Sequence, residues 1–157
     1  MNESKQTTDY RLYILTRTDL PSMNPGKAAA QVGHACNAFV YENPPDMNLD
    51  VFEWQNQTEQ GFGTTITLSV TFHQLLDIQR SLCSNARFEI VNDPTYPYIV
   101  NSEVVGLITP DIHRTEPIEL ESGDFLCTRH ETTCAYYFGD ANDEEFRKAI
   151  SDLPLLP

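Results

Sequence analysis

The sequence predicts an α/β fold, a single three-layer domain whose mixed, mostly parallel sheet of at least four strands carries helices on both faces. Two observations carry this. Short runs rich in strand formers alternate with stretches of helical period, the pattern of helices packed over a sheet. The 157 residues, 40% of them hydrophobic, suit one domain with one core. No repeat and no low-complexity segment interrupts the pattern.

Residues 1–9 are polar and read as a flexible tail, leaving 10–157 as the domain. Arg11-Leu12-Tyr13-Ile14-Leu15-Thr16-Arg17 is an apolar run of strand formers and reads as the first strand. A polar turn follows, and Asn24-Pro25 places an N-cap residue before a proline suited to the first helical position. The helix is predicted from Pro25 to about Tyr41, where Asn43-Pro44-Pro45 stops it. Val51, Phe52 and Trp54 could anchor a short helix. Thr64–Thr71 alternates as a second strand, and Thr71 can cap a helix running to about Ser84 with Leu75, Ile78 and Leu82 inward. Arg87–Asn92 reads as a third strand closed by the turn formers Asp93-Pro94-Thr95-Tyr96-Pro97. Tyr98–Asp111 is open between strand and loop. Ile118–Leu120 and Phe125–Thr128 flank a hairpin turn at Ser122-Gly123, inside an excursion spanning about 98–131. Cys134–Phe138 reads as a buried strand, Asp143–Ser151 as a final helix, and Leu153–Leu156 as the segment that packs the end.

No run approaches the roughly 18 apolar residues of a membrane span, and the first residues lack the apolar stretch of a secretory signal. The four cysteines show no framework of spacings, so reduced thiols in a cytoplasmic protein are expected. Cys127-x2-His130-x3-Cys134 has donors at zinc-like spacings, yet Cys134 falls in a predicted buried strand and no fourth donor stands nearby. Neither a metal nor a cofactor is expected. The net charge of −13 counts against broad phosphate-driven binding of nucleic acid, which needs a basic surface.

On the first helix, Lys27 and His34 are seven residues apart, about 700° of turn, so they lie nearly in line with Gln31 between them. Ala28, Val32, Ala35 and Phe39 form the apolar stripe of another face. The polar line has two readings: a solvated helix face, or a site at the carboxyl edge of the sheet, where open α/β folds bind ligands. Asp93, directly after the third strand, likewise either caps the Pro94-Thr95-Tyr96 turn or orients an imidazole and activates water. The Tyr96–Tyr98 stretch reads as a packed turn or as a stacking platform.

The segment Asp19-Leu20-Pro21-Ser22-Met23-Asn24-Pro25-Gly26-Lys27-Ala28-Ala29-Ala30-Gln31-Val32-Gly33-His34-Ala35 resembles the signature of the type 2 peptidyl-tRNA hydrolases. Trp54 resembles a family tryptophan before the second strand, Asp93 the aspartate of an Asp-Ala-Gly segment, and Thr132–Gly139 the last strand, Thr-x-Thr-x-x-x-x-Gly. Leu153–Leu156 is similar to the family's terminal apolar strand. Three departures stand out: Gly63-Thr64 where the family usually begins its second strand with lysine, Pro94-Thr95-Tyr96-Pro97 after Asp93, and Cys134 at a family threonine.

The resemblance implies hydrolysis of the ester joining a peptide to the terminal ribose of tRNA. It implies catalytic roles for Lys27, His34 and Asp93, with substrate contacts from Arg17, Asp19, Gln31, Thr95, Thr132 and Thr133 as candidates. The expected partner is tRNA or a nucleotide-linked acyl ester, with no membrane; a homodimer is left open. The acidity, the absent lysine and the excursion keep two alternatives open. One is a family member that binds or hydrolyses a different nucleotide-linked ligand. The other is a partner-binding module.

Overall fold

The computed structural model describes residues 8–82, 87–105 and 116–157. At its centre is β1 (Tyr10–Arg17), whose side chains alternate between two apolar clusters. Leu12 and Ile14 enter one, Tyr13 and Leu15 the other. A strand apolar on both sides must be covered on both sides. Over one face lie α1 (Pro25–Glu42) and α2 (Leu49–Asn56). Over the other lie α3 (Phe72–Ser81) and α5 (Glu144–Ile150).

Local chemistry sets the helix starts. The Asn24 side chain accepts the Lys27 N–H at 3.0 Å with Pro25 next to it, which opens α1 as expected. Thr71 and Gln74 close a reciprocal capping box on α3, and Asp143 caps α5 through the Phe146 N–H. On the α1 side, the Phe39 ring lies 5.6 Å from Trp54 and 4.9 Å from Phe138, tying both helices to the sheet. On the α3 side, Leu75, Ile78 and Leu82 pack as expected, beside Phe146 stacked on Tyr137. The remainder of the predicted helix end, residues 83–86, lies outside the described residues.

The sheet runs β2-β1-β5-β3, where β2 is Thr65–Val70, β3 is Phe88–Val100 and β5 is Phe125–Asp140; β4 (Ile118–Glu119) also pairs with β5. The mixed sheet and the helices on both faces are as predicted, but the sheet is not mostly parallel. Only β1 and β2, joined by the crossover through α1 and α2, are parallel; the pairings of β5 with β1, β3 and β4 are antiparallel. The reason is connectivity. β5 returns from the hairpin at Ser122-Gly123 and inserts between β1 and β3, which share a direction. At that turn Gly123 has φ +83°, the left-handed conformation that glycine adopts freely.

A second correction concerns Asp93–Pro97, predicted as a turn. β3 continues through these residues to Val100, and its outer part pairs with β5 from Tyr96 opposite Arg129 to Val100 opposite Phe125. This pair runs past the carboxyl end of β1 as an arm, followed by the single turn α4 (Ser102–Val105). Two prolines survive in it because β3 is an edge strand. Pro94 also falls in a bulge: Asp93 is opposite Glu131 and Tyr96 opposite Arg129, so Pro94 and Thr95 together face His130. A second bulge lies just before Asp93. Val91 pairs with Cys134 and Asn92 with Thr132, which leaves Thr133 as an extra residue on β5.

At the termini, residues 1–7 of the expected tail lie outside the described residues, while the Asp9 carbonyl accepts the Ala141 N–H at 2.7 Å. The last residues lie along β2, through a bridge between Leu68 and Leu155 and a 2.9 Å bond from the Ser69 N–H to the Pro154 carbonyl. Among the described residues no helix is long and apolar enough to cross a membrane.

Candidate active site

The two bulges aim side chains at α1. In a regular strand, Thr133 and Cys134 would point to opposite faces. Here both reach Gln31: the Thr133 hydroxyl donates to Gln31 Oε1 at 2.7 Å, and the Cys134 thiol to the Gln31 carbonyl at 3.5 Å. Gln31 Nε2 in turn donates to Asp93 Oδ2 at 2.8 Å. A chain of hydrogen bonds therefore runs Thr133–Gln31–Asp93 from β5 through α1 to β3. The other oxygen of Asp93 accepts the Thr95 N–H at 2.9 Å and faces the Thr95 hydroxyl at 3.4 Å. The two uses foreseen for Asp93, turn cap and site carboxylate, fall to different oxygens of one group.

One helical turn before Gln31, Lys27 extends over the same strand. Its Nζ is 3.5 Å from the Pro97 carbonyl and 5.4 Å from the centre of the buried Tyr96 ring. An ammonium over an aromatic face gains cation–π attraction while its remaining N–H groups stay free to donate elsewhere. Ser22, in the β1–α1 loop, donates to the same carbonyl at 2.7 Å and fixes the arm against the start of α1. Tyr96 is thus a packed residue and also the floor beneath Lys27. His34 stands exposed one turn beyond Gln31, on the side of α1 that carries Lys27.

Other expected contacts are placed differently. Gln31 and Thr133 are buried, 5% and 0% exposed, so they hold Asp93 and do not face a ligand. Burial of two polar side chains is tolerated because each satisfies the other. Arg17, expected as a substrate contact, is also buried. It forks onto Asp19 at 2.9 and 3.2 Å, donates to Glu131 at 2.7 Å and to the Thr132 carbonyl at 2.9 Å, and stacks over Phe72. Burial disfavours its charge, but the hydrogen bonds it donates to Asp19 and then Glu131 outweigh that and hold the guanidinium more firmly protonated than usual. Asp19 is held by Arg17 and by the Phe72 N–H at 3.1 Å; although burial pushes its carboxyl up, these bonds bring it below its ordinary value. Arg17 and Asp19 therefore clamp β1, α3 and β5 together. Thr95 lies at Asp93, whereas Thr132 pairs with Asn92 and its hydroxyl donates to Asn92 Oδ1 at 2.7 Å.

Among the described residues, Arg11, Arg17, Arg80, Arg87 and Arg129 each pair with a carboxylate. Cys134 lies beside the site, but burial pushes its thiol up to about 12, so it is not a thiolate nucleophile near neutral pH. Reasoning from sequence missed Glu131, which bridges Arg17 and Arg129, and the floor role of Tyr96. The only signal for Glu131 was an acid between Arg129 and a predicted strand.

What the structure brings together along the α1–β3 edge is the Asp93 carboxylate, able to accept a proton, and the Lys27 ammonium, able to face a developing negative charge; the exposed His34 imidazole lies further along α1. The family model for peptidyl-tRNA hydrolase PTH2 matches residues 10–110, which takes in Lys27, Gln31, His34 and Asp93 but not Thr133. No curated protein matches the chain.

Proposed function

The chain belongs to the peptidyl-tRNA hydrolase PTH2 family, and from that membership we propose that it hydrolyses the ester between a peptide and the terminal ribose of tRNA, releasing free tRNA and peptide. The observation that carries the reading is the Asp93 carboxylate, held by Gln31 and the Thr95 N–H beside the helix face that bears Lys27.

In this mechanism a water bound at Asp93, with His34 alongside, loses a proton as its oxygen attacks the ester carbonyl carbon. The carbonyl oxygen becomes an oxyanion, and the ammonium of Lys27 stabilises it. Collapse breaks the bond to the ribose oxygen, which leaves as a hydroxyl with the proton that the carboxylate or imidazole had taken. Thr95 contacts the substrate beside Asp93, and Thr132 contacts it from the neighbouring position on β5. Three cysteines held as free thiols, Cys36, Cys127 and Cys134, fit a cytoplasmic setting for this chemistry.

Deacylation of an N-blocked aminoacyl-tRNA tests the assignment. Lys27→Ala should lower kcat by about 10²–10³-fold, as expected for removal of an oxyanion partner, with little change in Tm because the side chain is only half-buried. Asp93→Asn should lower it comparably. Full activity in Lys27→Ala would sink the mechanism. One observation favours a second reading: most arginines of the described residues are already neutralised by carboxylates, which suits a substrate recognised at its terminal nucleotide and ester only. In that case a minimal nucleotide-linked acyl ester would be cleaved nearly as fast as the charged tRNA.

A further inference from the structure

The opposite end of α1 carries a surface that the hydrolytic site does not use. Between Val40 and Phe52 the chain exposes Val40, Tyr41, Met47, Leu49 and Phe52, with Tyr41 at 87%, Met47 at 80% and Leu49 at 71%. Leu49 and Phe52 are three apart and share the outer side of α2, whose inner side buries Val51 and Trp54. Glu53 follows Phe52 and lies four residues after Leu49, so it stands on the same outer side of α2, away from the Phe39–Trp54 contact on the inner side. Single exposed apolar residues need no explanation, but a group of large ones on packed, ordered helices marks an interaction surface.

Charge selects the occupant. From residue 28 to residue 79 the sequence has no lysine or arginine, while Glu42, Asp46, Asp50, Glu53, Glu59 and Asp77 fall within it. Of the acids near the patch, Asp50 is paired with Arg87 at 2.9 Å and Glu42 is engaged by the Tyr136 hydroxyl. Asp46 and Glu53, both exposed, remain as a negative border around apolar side chains. We propose that the outer face of α2 docks a cationic amphipathic segment of a partner protein, its apolar residues covering Leu49 and Phe52 and its lysines or arginines meeting Glu53 and Asp46. A second copy of this chain would bring two acidic borders together on a molecule of net charge −13, and an anionic membrane would be repelled in the same way.

Isothermal calorimetry with a synthetic Leu/Lys amphipathic helical peptide tests the proposal, with the matching Leu/Glu peptide and a lysine-only peptide as controls. The Leu/Lys peptide should bind, at least about tenfold more weakly to Leu49→Ser/Phe52→Ser, as expected when central apolar contacts are lost, and several-fold more weakly to Asp46→Asn/Glu53→Gln. Both variants alter exposed side chains, and unchanged Tm shows that they fold. No binding, equal binding of the Leu/Glu peptide, or binding indifferent to both variants overturns the proposal. So does concentration-dependent dimerisation in sedimentation, or binding to phosphatidylglycerol vesicles, if Leu49→Ser/Phe52→Ser abolishes it, since the face would then serve a second copy or a lipid surface.

Discussion

Replacing Gln31 with leucine removes both links of the relay that holds Asp93 while keeping the volume of the buried side chain. The bond to Asp93 at 2.8 Å has a charged acceptor and contributes about 1.5–3 kcal/mol; the neutral bond from Thr133 at 2.7 Å contributes about 0.5–1.5 kcal/mol. Thr133 has a fallback acceptor in the Val91 carbonyl at 3.5 Å, so the second loss falls at the low end of its range. An apolar side chain in the same place returns about 1 kcal/mol. The net loss is about 1–3 kcal/mol, which for a chain of this size lowers Tm by roughly 3–9 °C. The larger effect is on turnover. Asp93 keeps its bonds from Thr95 but loses the one that fixes its second oxygen, and a displacement of about 1 Å can lower the rate about 10²-fold. Melting curves and single-turnover deacylation of N-blocked aminoacyl-tRNA read the two effects separately. Thr133→Val should show a weaker form of both, and the double variant should lose less than the two single losses added together, because both act through one chain of bonds. If Gln31→Leu melts earlier but turns over at the wild-type rate, Gln31 serves stability alone and the positioning role is wrong.

Further outcomes follow from other contacts. Gly63 has φ +70°, and an added Cβ would stand 2.2 Å from the Trp54 ring, so Gly63→Ala should cost about 3 kcal/mol, readable in urea melts. The hydrogen bond to Glu42, then burial, raises the Glu89 carboxyl above its ordinary value. A raised folded value means that its contribution is present in acid and lost as pH rises through that value, so Glu89→Gln should raise Tm at pH ~7 and lose the advantage near pH ~4. Asp19 has the opposite sign: its lowered value makes the Arg17 clamp contribute above the ordinary carboxylate range and fail as pH falls, so Asp19→Asn should destabilise at neutral pH and much less in strong acid. Binding of tRNA should weaken only shallowly with salt, with a log–log slope of magnitude below about 2, since the slope counts neutralised phosphates and most arginines are already paired.

The parts of the fold visible in the sequence are those set by neighbours along the chain. β1 announces itself by an apolar run, α1 by Asn24-Pro25 and its stripe, α3 by Thr71 and the inward Leu75, Ile78 and Leu82, and the β4–β5 turn by Ser122-Gly123. The misreadings have distant causes. Pro94 and Pro97 read as a stop because nothing local says that β3 lies at the sheet edge with a bulge at Pro94. Gln31 read as a surface residue because the partners that make its burial tolerable lie 62 and 102 positions away. Arg17 read as a substrate contact because its partner Glu131 is 114 residues distant. Lys27, His34 and Asp93 were legible as candidates only through the signature around them; spacing alone also fitted a solvated helix and a capped turn.

The paired bulges make the aim of Asp93 a matter of counting. One extra residue on β5 and one on β3 sit on either side of it, and each shifts the pleat by a single step. The direction of this carboxylate is therefore stored in the number of residues between fixed pairings more than in which residues they are. Substitutions at Pro94 or Thr95 leave that count intact, whereas inserting or deleting one residue there resets it. In this stretch of the chain, length carries information that composition does not.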